Sequence, residues 1–174
     1  MARIELVDVS IRDGNQSLWG ATELNFGRTL AIAPILDRAG FRVLDFNSST
    51  HMGISVRTHR ENPWELIRAM RAAAPHTPLQ FITTGFRFIS WETANPEFMR
   101  LVYRCLVRNG IGRFALIDPM HDGAALLEGA RMIHEEGGEV LAGLTYTISE
   151  VHDDAFYASL AGTLAASPHV ARLY

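Results

Sequence analysis

Apolar, β-prone stretches alternate with helical ones along this chain at intervals of about 35 residues, a rhythm that points to βα units stacked into a parallel sheet. Strands are expected near residues 3–9, 42–46, 78–83, 112–117, 139–146 and 169–174, with helices near 22–39, 61–74, 95–109, 121–137 and 152–166. The punctuation agrees. Asn62-Pro63 supplies an N-cap followed by a proline at the first helical position, where a missing N–H costs nothing. Gly40, Gly110 and Gly137 fall where three helices should stop. Pro34 inside the first helix predicts a kink. No linker, low-complexity segment or charge run divides the 174 residues, so residues 1–174 read as a single domain. The run His169-Val170-Ala171-Arg172-Leu173-Tyr174 reads as a sixth strand. Roughly five and a half βα units do not close an eight-stranded barrel, so the expected fold is α/β, a partial TIM (β/α) barrel.

Composition removes several classes of function. All 16 basic residues are Arg, and no Lys is present. Schiff-base aldolase chemistry, pyridoxal phosphate anchoring and the P-loop each need a lysine amine. The net charge of -3 and the scattered arginines give no basic field for nucleic acid. No apolar run approaches the ~20 residues that span a bilayer, and the N-terminus has no signal-peptide pattern, so a cytoplasmic protein is expected. The single Cys105, set among Leu101, Val102 and Leu106, reads as a buried structural thiol.

The chemistry concentrates in Val7-Asp8-Val9-Ser10-Ile11-Arg12-Asp13-Gly14-Asn15-Gln16-Ser17, where an apolar strand runs into a guanidinium, a carboxylate and an amide. Parallel strands present their chemistry at the carboxyl end. A turn through Gly14 would bring Arg12 and Asp13 to the same side. Asp13 suits a divalent metal (Zn, Mn or Mg), and Arg12 suits an enolate or carboxylate; a salt-bridged strand terminus is the structural alternative. Asp45, ending the second strand, orients Arg12 or serves as a turn carboxylate. His51 follows the second strand, His121 follows the fourth with Asp118 close by, and either faces the barrel top or is a solvated loop residue. His59, His76, His134 and His169 read as loop or helix-surface residues. The tryptophans read as packing groups, with Trp19 placed to close over a ligand.

The segment "DVSIRDGNQSLWGAT" resembles the first-strand motif of the carboxyltransferase domain of biotin-dependent enzymes (pyruvate carboxylase, transcarboxylase, the oxaloacetate decarboxylase alpha subunit). More broadly it is similar to the metal-dependent lyase and synthase barrels that include hydroxymethylglutaryl-CoA lyase and isopropylmalate synthase. The likeness continues through "ENPWELIRAMRAAAPHTPLQF", "RFALIDPMHD" and "LTYTISEVHDDAFYASLA", and so covers essentially the whole chain. His152, Thr145, Tyr146 and Thr147 match the carboxyltransferase pattern after strand five.

The resemblance implies roles. Asp13 corresponds to the strand-one metal ligand, Arg12 to the neighbouring catalytic arginine, Gln16 to the glutamine that contacts the keto acid, and Asp45 to a position usually held by Glu. The implied reaction moves a carboxyl group between biotin on a carrier domain and a keto acid such as pyruvate. Where the family's third strand ends in a substrate-binding arginine, this chain has Thr84, with Arg87 three residues on as the substitute or a surface residue. The family's lysine and histidine metal ligands would follow Tyr174. Two other functions stay open: a metal-dependent carbon-carbon lyase or aldolase on the same scaffold, and a catalytically silent partial barrel acting as an assembly module. A homo-oligomer or a complementary subunit is expected, because an open parallel sheet leaves strand edges unpaired.

Overall fold

The computed structural model describes residues 4–88 and 92–174; residue 3 of the first expected strand and Trp91 lie outside the described residues. Six parallel strands run β1 (Val7–Asp8), β2 (Val43–Ser48), β3 (Leu79–Thr84), β4 (Ile111–Ile117), β5 (Glu139–Gly143) and β6 (Arg172–Leu173), each hydrogen-bonded to the next in sequence order. Helices cover one face: α1 (Asn15–Trp19), α2 (Phe26–Arg38), α3 (Ser49–Ile54), α4 (Pro63–Ala73), α5 (Pro96–Asn109), α6 (Gly123–Glu135) and α7 (Asp154–Ala165). The result is the expected partial barrel, a curled sheet of six strands.

Six helices begin on a side chain that accepts a backbone N–H. Asn25 caps α2, Ser48 caps α3, Asn62 caps α4, Asn95 caps α5, Asp122 caps α6 and Asp153 caps α7. Pro63 and Pro96 occupy the first helical turn directly after their caps. Gly110 ends α5 at φ +118°, a conformation a Cβ resists. The core lies between the sheet and α4, α5 and α6. There Phe114 meets Phe81 at 6.4 Å and Tyr103 edge-on at 5.9 Å, while Ile67, Met70, Met99, Leu106 and Ile133 are fully enclosed.

Several sequence expectations shift. The first strand shrinks to two residues because the chain turns away at Ser10, and the fifth stops at Gly143 because its neighbour β6 pairs only with Leu141 and Ala142. The helix α2 runs unbroken through Pro34. Cys105 is half-buried, not enclosed. His51, read as a loop residue, lies in α3, and the side chain of His59, read as a surface group, is only 12% exposed. The loops after β1 and β2 are largely helical. Ser10–Gly14 and Ser55–His59 are π-helical turns, a form that concentrates at functional sites.

Candidate active site

The motif of β1 is carried by the π-helical turn Ser10–Gly14, not by a strand end. Asp13 N and Gly14 N both donate to the Val9 carbonyl, at 2.8 and 3.0 Å, and Gly14 sits at φ −58°, so the expected glycine-dependent turn is absent. Ser10 Oγ donates to Asp8 Oδ1 at 2.8 Å and ties the turn to the strand below.

That turn brings Arg12, Asp13 and Asp45 together. Arg12 Nε and NH2 donate to the same oxygen of Asp45 at 2.7 and 2.5 Å, and NH1 donates to Asp13 at 3.0 Å. The Asp45 side chain is 2% exposed, Arg12 13% and Asp13 52%. Burial pushes the Asp45 carboxyl above the usual range, partly offset by the Arg12 charge and by Gln80, which stands opposite Asp45 in the β2–β3 register. A β-bulge follows, since Asp45 and Asn47 face consecutive residues Gln80 and Phe81, and bulges re-aim side chains beside active sites. The phenol of Tyr174 feels both charges; burial, then Asp45, push it up to about 12. Guanidinium carries five N–H donors, so three bonds leave Arg12 two more to offer.

The remaining expected residues spread around this pair. Gln16 is exposed on α1, and Trp19, at the end of that helix, is half-exposed. Thr84 closes β3, and a short hairpin folds the backbone of Arg87 back alongside it; Arg87 is half-buried, with no side-chain partner among the described residues. No hydrogen bond joins Gln16, Thr84 or Arg87 to Arg12 among the described residues.

His121 and His152 support the loops after β4 and β5. His121 Nε2 donates to the Thr145 carbonyl at 2.6 Å, its ring lies 4.9 Å from that of His152, and the Tyr157 hydroxyl accepts from Thr147 N at 2.8 Å. Both read as positioning groups for that loop.

The implied divalent metal does not fit the donors described. Asp13 is a half-exposed carboxylate already bonded to Arg12, and no group of three His, Cys, Asp or Glu among the described residues converges on one point.

Gln80 and Tyr174 are site residues that sequence reasoning left unassigned. The signal for Gln80 was a lone amide in the apolar run Leu79-Gln80-Phe81. Tyr174 gave none.

The fold is a partial barrel with a buried Arg–Asp couple between the turn after its first strand and its second strand, and comparison with known proteins places that fold. The chain is 29% identical over 161 residues to a pyruvate carboxylase subunit of Methanocaldococcus jannaschii, covering 92% of this chain and 28% of that protein. It is 26% identical over 161 residues to the methylmalonyl-CoA carboxyltransferase 5S subunit of Propionibacterium freudenreichii subsp. shermanii, covering 92% of this chain and 32% of that one. The 2-oxoglutarate carboxylase large subunit of Hydrogenobacter thermophilus matches at 28% over 153 residues, 86% of this chain and 23% of its own length. The carboxyl transferase domain of Rhizobium etli pyruvate carboxylase, solved with oxamate and biotin, superposes with a TM-score of 0.89 at 24% identity, over 96% of this chain and 30% of that one. No family model matches the chain. The chain is thus related to the carboxyltransferase domains of the biotin-dependent carboxylases, and it spans about a quarter to a third of the length of these curated relatives.

Proposed function

We propose that this chain is a carboxyltransferase-type portion of a biotin-dependent enzyme that acts on a keto acid such as pyruvate or oxaloacetate. The observation that carries the reading is the Arg12–Asp45 couple, bonded at 2.5 and 2.7 Å between the turn after the first strand and the second strand of a partial barrel related to such domains. Biotin on a carrier domain supplies the activated carboxyl group. Arg12 turns its two unused N–H donors to the enolate oxygen of the keto acid and stabilises the negative charge there. With biotin bound, the carboxyl group would pass from the donor nitrogen to the methyl-derived carbon of the enolate, and the proton that this methyl group gives up in forming the enolate would be the one the nitrogen gains. Asp45 holds the guanidinium plane in place and balances its charge. In this reading Gln16 contacts the substrate, Arg87 takes over the carboxylate-binding role left by Thr84, and Asp13 steadies Arg12. If Asp13 binds a metal, other ligands must complete the site.

The same reading expects a carrier domain and a second copy or complementary subunit. The unpaired side of β1, with Ile4 86% exposed and Leu6 64% exposed, is apolar surface for such a partner to cover. No helix among the described residues is long and apolar enough to cross a membrane.

The test is biotin-dependent exchange of carboxyl groups between oxaloacetate and labelled pyruvate by the complete enzyme. Exchange that falls about 100-fold or more in Arg12→Lys, as expected for losing preorganised charge stabilisation, supports the reading. Absence of exchange from the intact, folded enzyme overturns it. The Thr84 substitution favours one second reading, a carbon-carbon lyase or aldolase. Cleavage of a hydroxy keto acid without biotin would distinguish that chemistry.

A further inference from the structure

A small polar cavity lies where the Arg12 turn, α1, α2, β2 and α3 meet. It has a volume of about 20 Å³, room for one water molecule, and Asn15, Thr29, Asn47, His51, Ser55 and His59 supply its polar lining. Two of these side chains have a buried polar atom without a hydrogen-bond partner among the described residues: Asn15 Nδ2 and His51 Nε2. Their other ends are held. Asn15 Oδ1 accepts from Leu24 N at 3.2 Å, and His51 Nδ1 meets Ser48 Oγ at 2.8 Å. A buried polar atom left unpaired costs about 1–3 kcal/mol, so two that line one water-sized cavity mark a water site.

We propose that His51 and Asn15, bridged by one enclosed water, are positioning residues for Arg12: they fasten the π-helical turn to α3 and so hold the guanidinium on Asp45. The inference rests on the reading that Arg12 and Asp45 form the reactive couple. Either neutral tautomer of His51 serves. With Nδ1–H donating to Ser48, the water donates to Nε2; with Ser48 donating to Nδ1, the water accepts from Nε2–H. In both cases the water accepts from Asn15 Nδ2. Burial, reinforced by the Arg12 charge and only partly offset by the approach of the ring to the Arg12 backbone and by the Asp13 charge, lowers the His51 pKa to about 4, so the imidazole adds no positive charge beside the guanidinium. The tie matters because a π-helical turn persists only where its surroundings over-determine it. In this chain its other side-chain anchors are Ser10 on Asp8 and Arg12 on Asp45.

The test reads the turn directly, without an activity assay. In ¹⁵N spectra of the full chain, the Arg12 Nε–H, assigned by its loss in Arg12→Lys, is expected to exchange slowly with solvent. The His51→Phe variant keeps ring volume and removes both nitrogens; its Arg12 Nε–H is expected to exchange about tenfold faster or more, while His51→Gln, which retains a donor and an acceptor, restores protection. Unchanged protection in folded His51→Phe overturns the proposal. Should His51→Phe not fold, the unmodified chain decides: a long-lived water with a cross-peak to the His51 ring supports the tie, and its absence refutes it. A chain that shows the tie yet moves no carboxyl group refutes the proposed function alone.

Discussion

Replacing Arg12 with methionine should destabilise the protein by an amount that grows with pH. Breaking a buried ion pair by removing one partner costs about 3–5 kcal/mol, and the 13% exposure of Arg12 reduces this to about 2–4 kcal/mol. The stranded group is Asp45, 2% exposed, with one oxygen already lacking a hydrogen bond among the described residues. Its carboxyl already sits above the usual range in the folded chain, and loss of the guanidinium raises it further. The folded state of the variant therefore holds the Asp45 proton more tightly than the unfolded chain does. Stability from this group is fully present below the unfolded value of about 3.8 and is lost as pH rises through the folded value. Between the unfolded and folded values each pH unit costs at most about 1.4 kcal/mol, and above the folded value the loss levels off. Urea unfolding of both proteins at pH 5.5 and 8 should show a penalty at least about 1 kcal/mol larger at the higher pH. The double variant Arg12→Met/Asp45→Leu removes the charge altogether and should be more stable at pH 8 than Arg12→Met alone. A penalty independent of pH, or a double variant whose cost equals the sum of the singles, would refute the claim that Arg12 compensates a buried carboxylate.

Three further outcomes follow from other contacts. Asp37, 4% exposed at the end of α2, accepts from His76 N and Thr77 N and meets the His76 ring at 2.7 Å. Those bonds outweigh its burial and lower its pKa from 3.8 to about 2, so its stabilisation of about 2 kcal/mol is present above pH 3.8 and lost as pH falls through 2; acid titrations of Asp37→Asn by circular dichroism should lack that component. The Gly110→Ala change adds a Cβ 2.9 Å from Arg71 Cβ at φ +118°, and should lower stability by about 1–3 kcal/mol in thermal unfolding. Restoring a guanidinium with Thr84→Arg should tighten pyruvate binding about tenfold by calorimetry, the effect of one charge-assisted contact, if β3 lines the keto acid site.

The alternation of strands and helices was legible because each long helix carries its own start signal, as Asn62-Pro63 shows, and each sheds an apolar face onto the sheet. The helical turns at residues 10–19 and 49–59 were not. They are one or two turns long, too short to display a 3.6-residue period, and their helicity comes from packing beneath the sheet ends. The same blind spot misplaced two site features. Arg12 and Asp13 were read on a strand end, and His51 on a loop, because nothing local distinguishes a π-helical turn from irregular chain. The partnership of Arg12 with Asp45 was legible because one follows the first strand and the other belongs to the second, which pairs with it. The place of Tyr174 beside them depends on the curl of the sheet, which no local pattern encodes.

If the proposed function is right, the couple also shows how an aspartate serves at a position where the resemblance implies the longer glutamate. A shorter carboxylate reaches a strand-borne arginine less well, but here the arginine rides on a helical turn and places Nε and NH2 at 2.7 and 2.5 Å from one oxygen. The geometry fixes the charge at the site. Arg12 contributes one positive charge, which Asp45 and Asp13 together match or exceed, so the couple by itself offers an anionic keto acid hydrogen bonds without net attraction. Attraction must come from another cation at the same end of the sheet. In the proposed function that cation is Arg87, whose backbone the hairpin after β3 folds back alongside Thr84, the residue that the resemblance sets in the place of a substrate-binding arginine. If the proposed function is right, Arg87→Gln should raise the KM for the keto acid far more than it lowers kcat, because it removes binding common to ground and transition states. A loss confined to kcat would move Arg87 out of the substrate role.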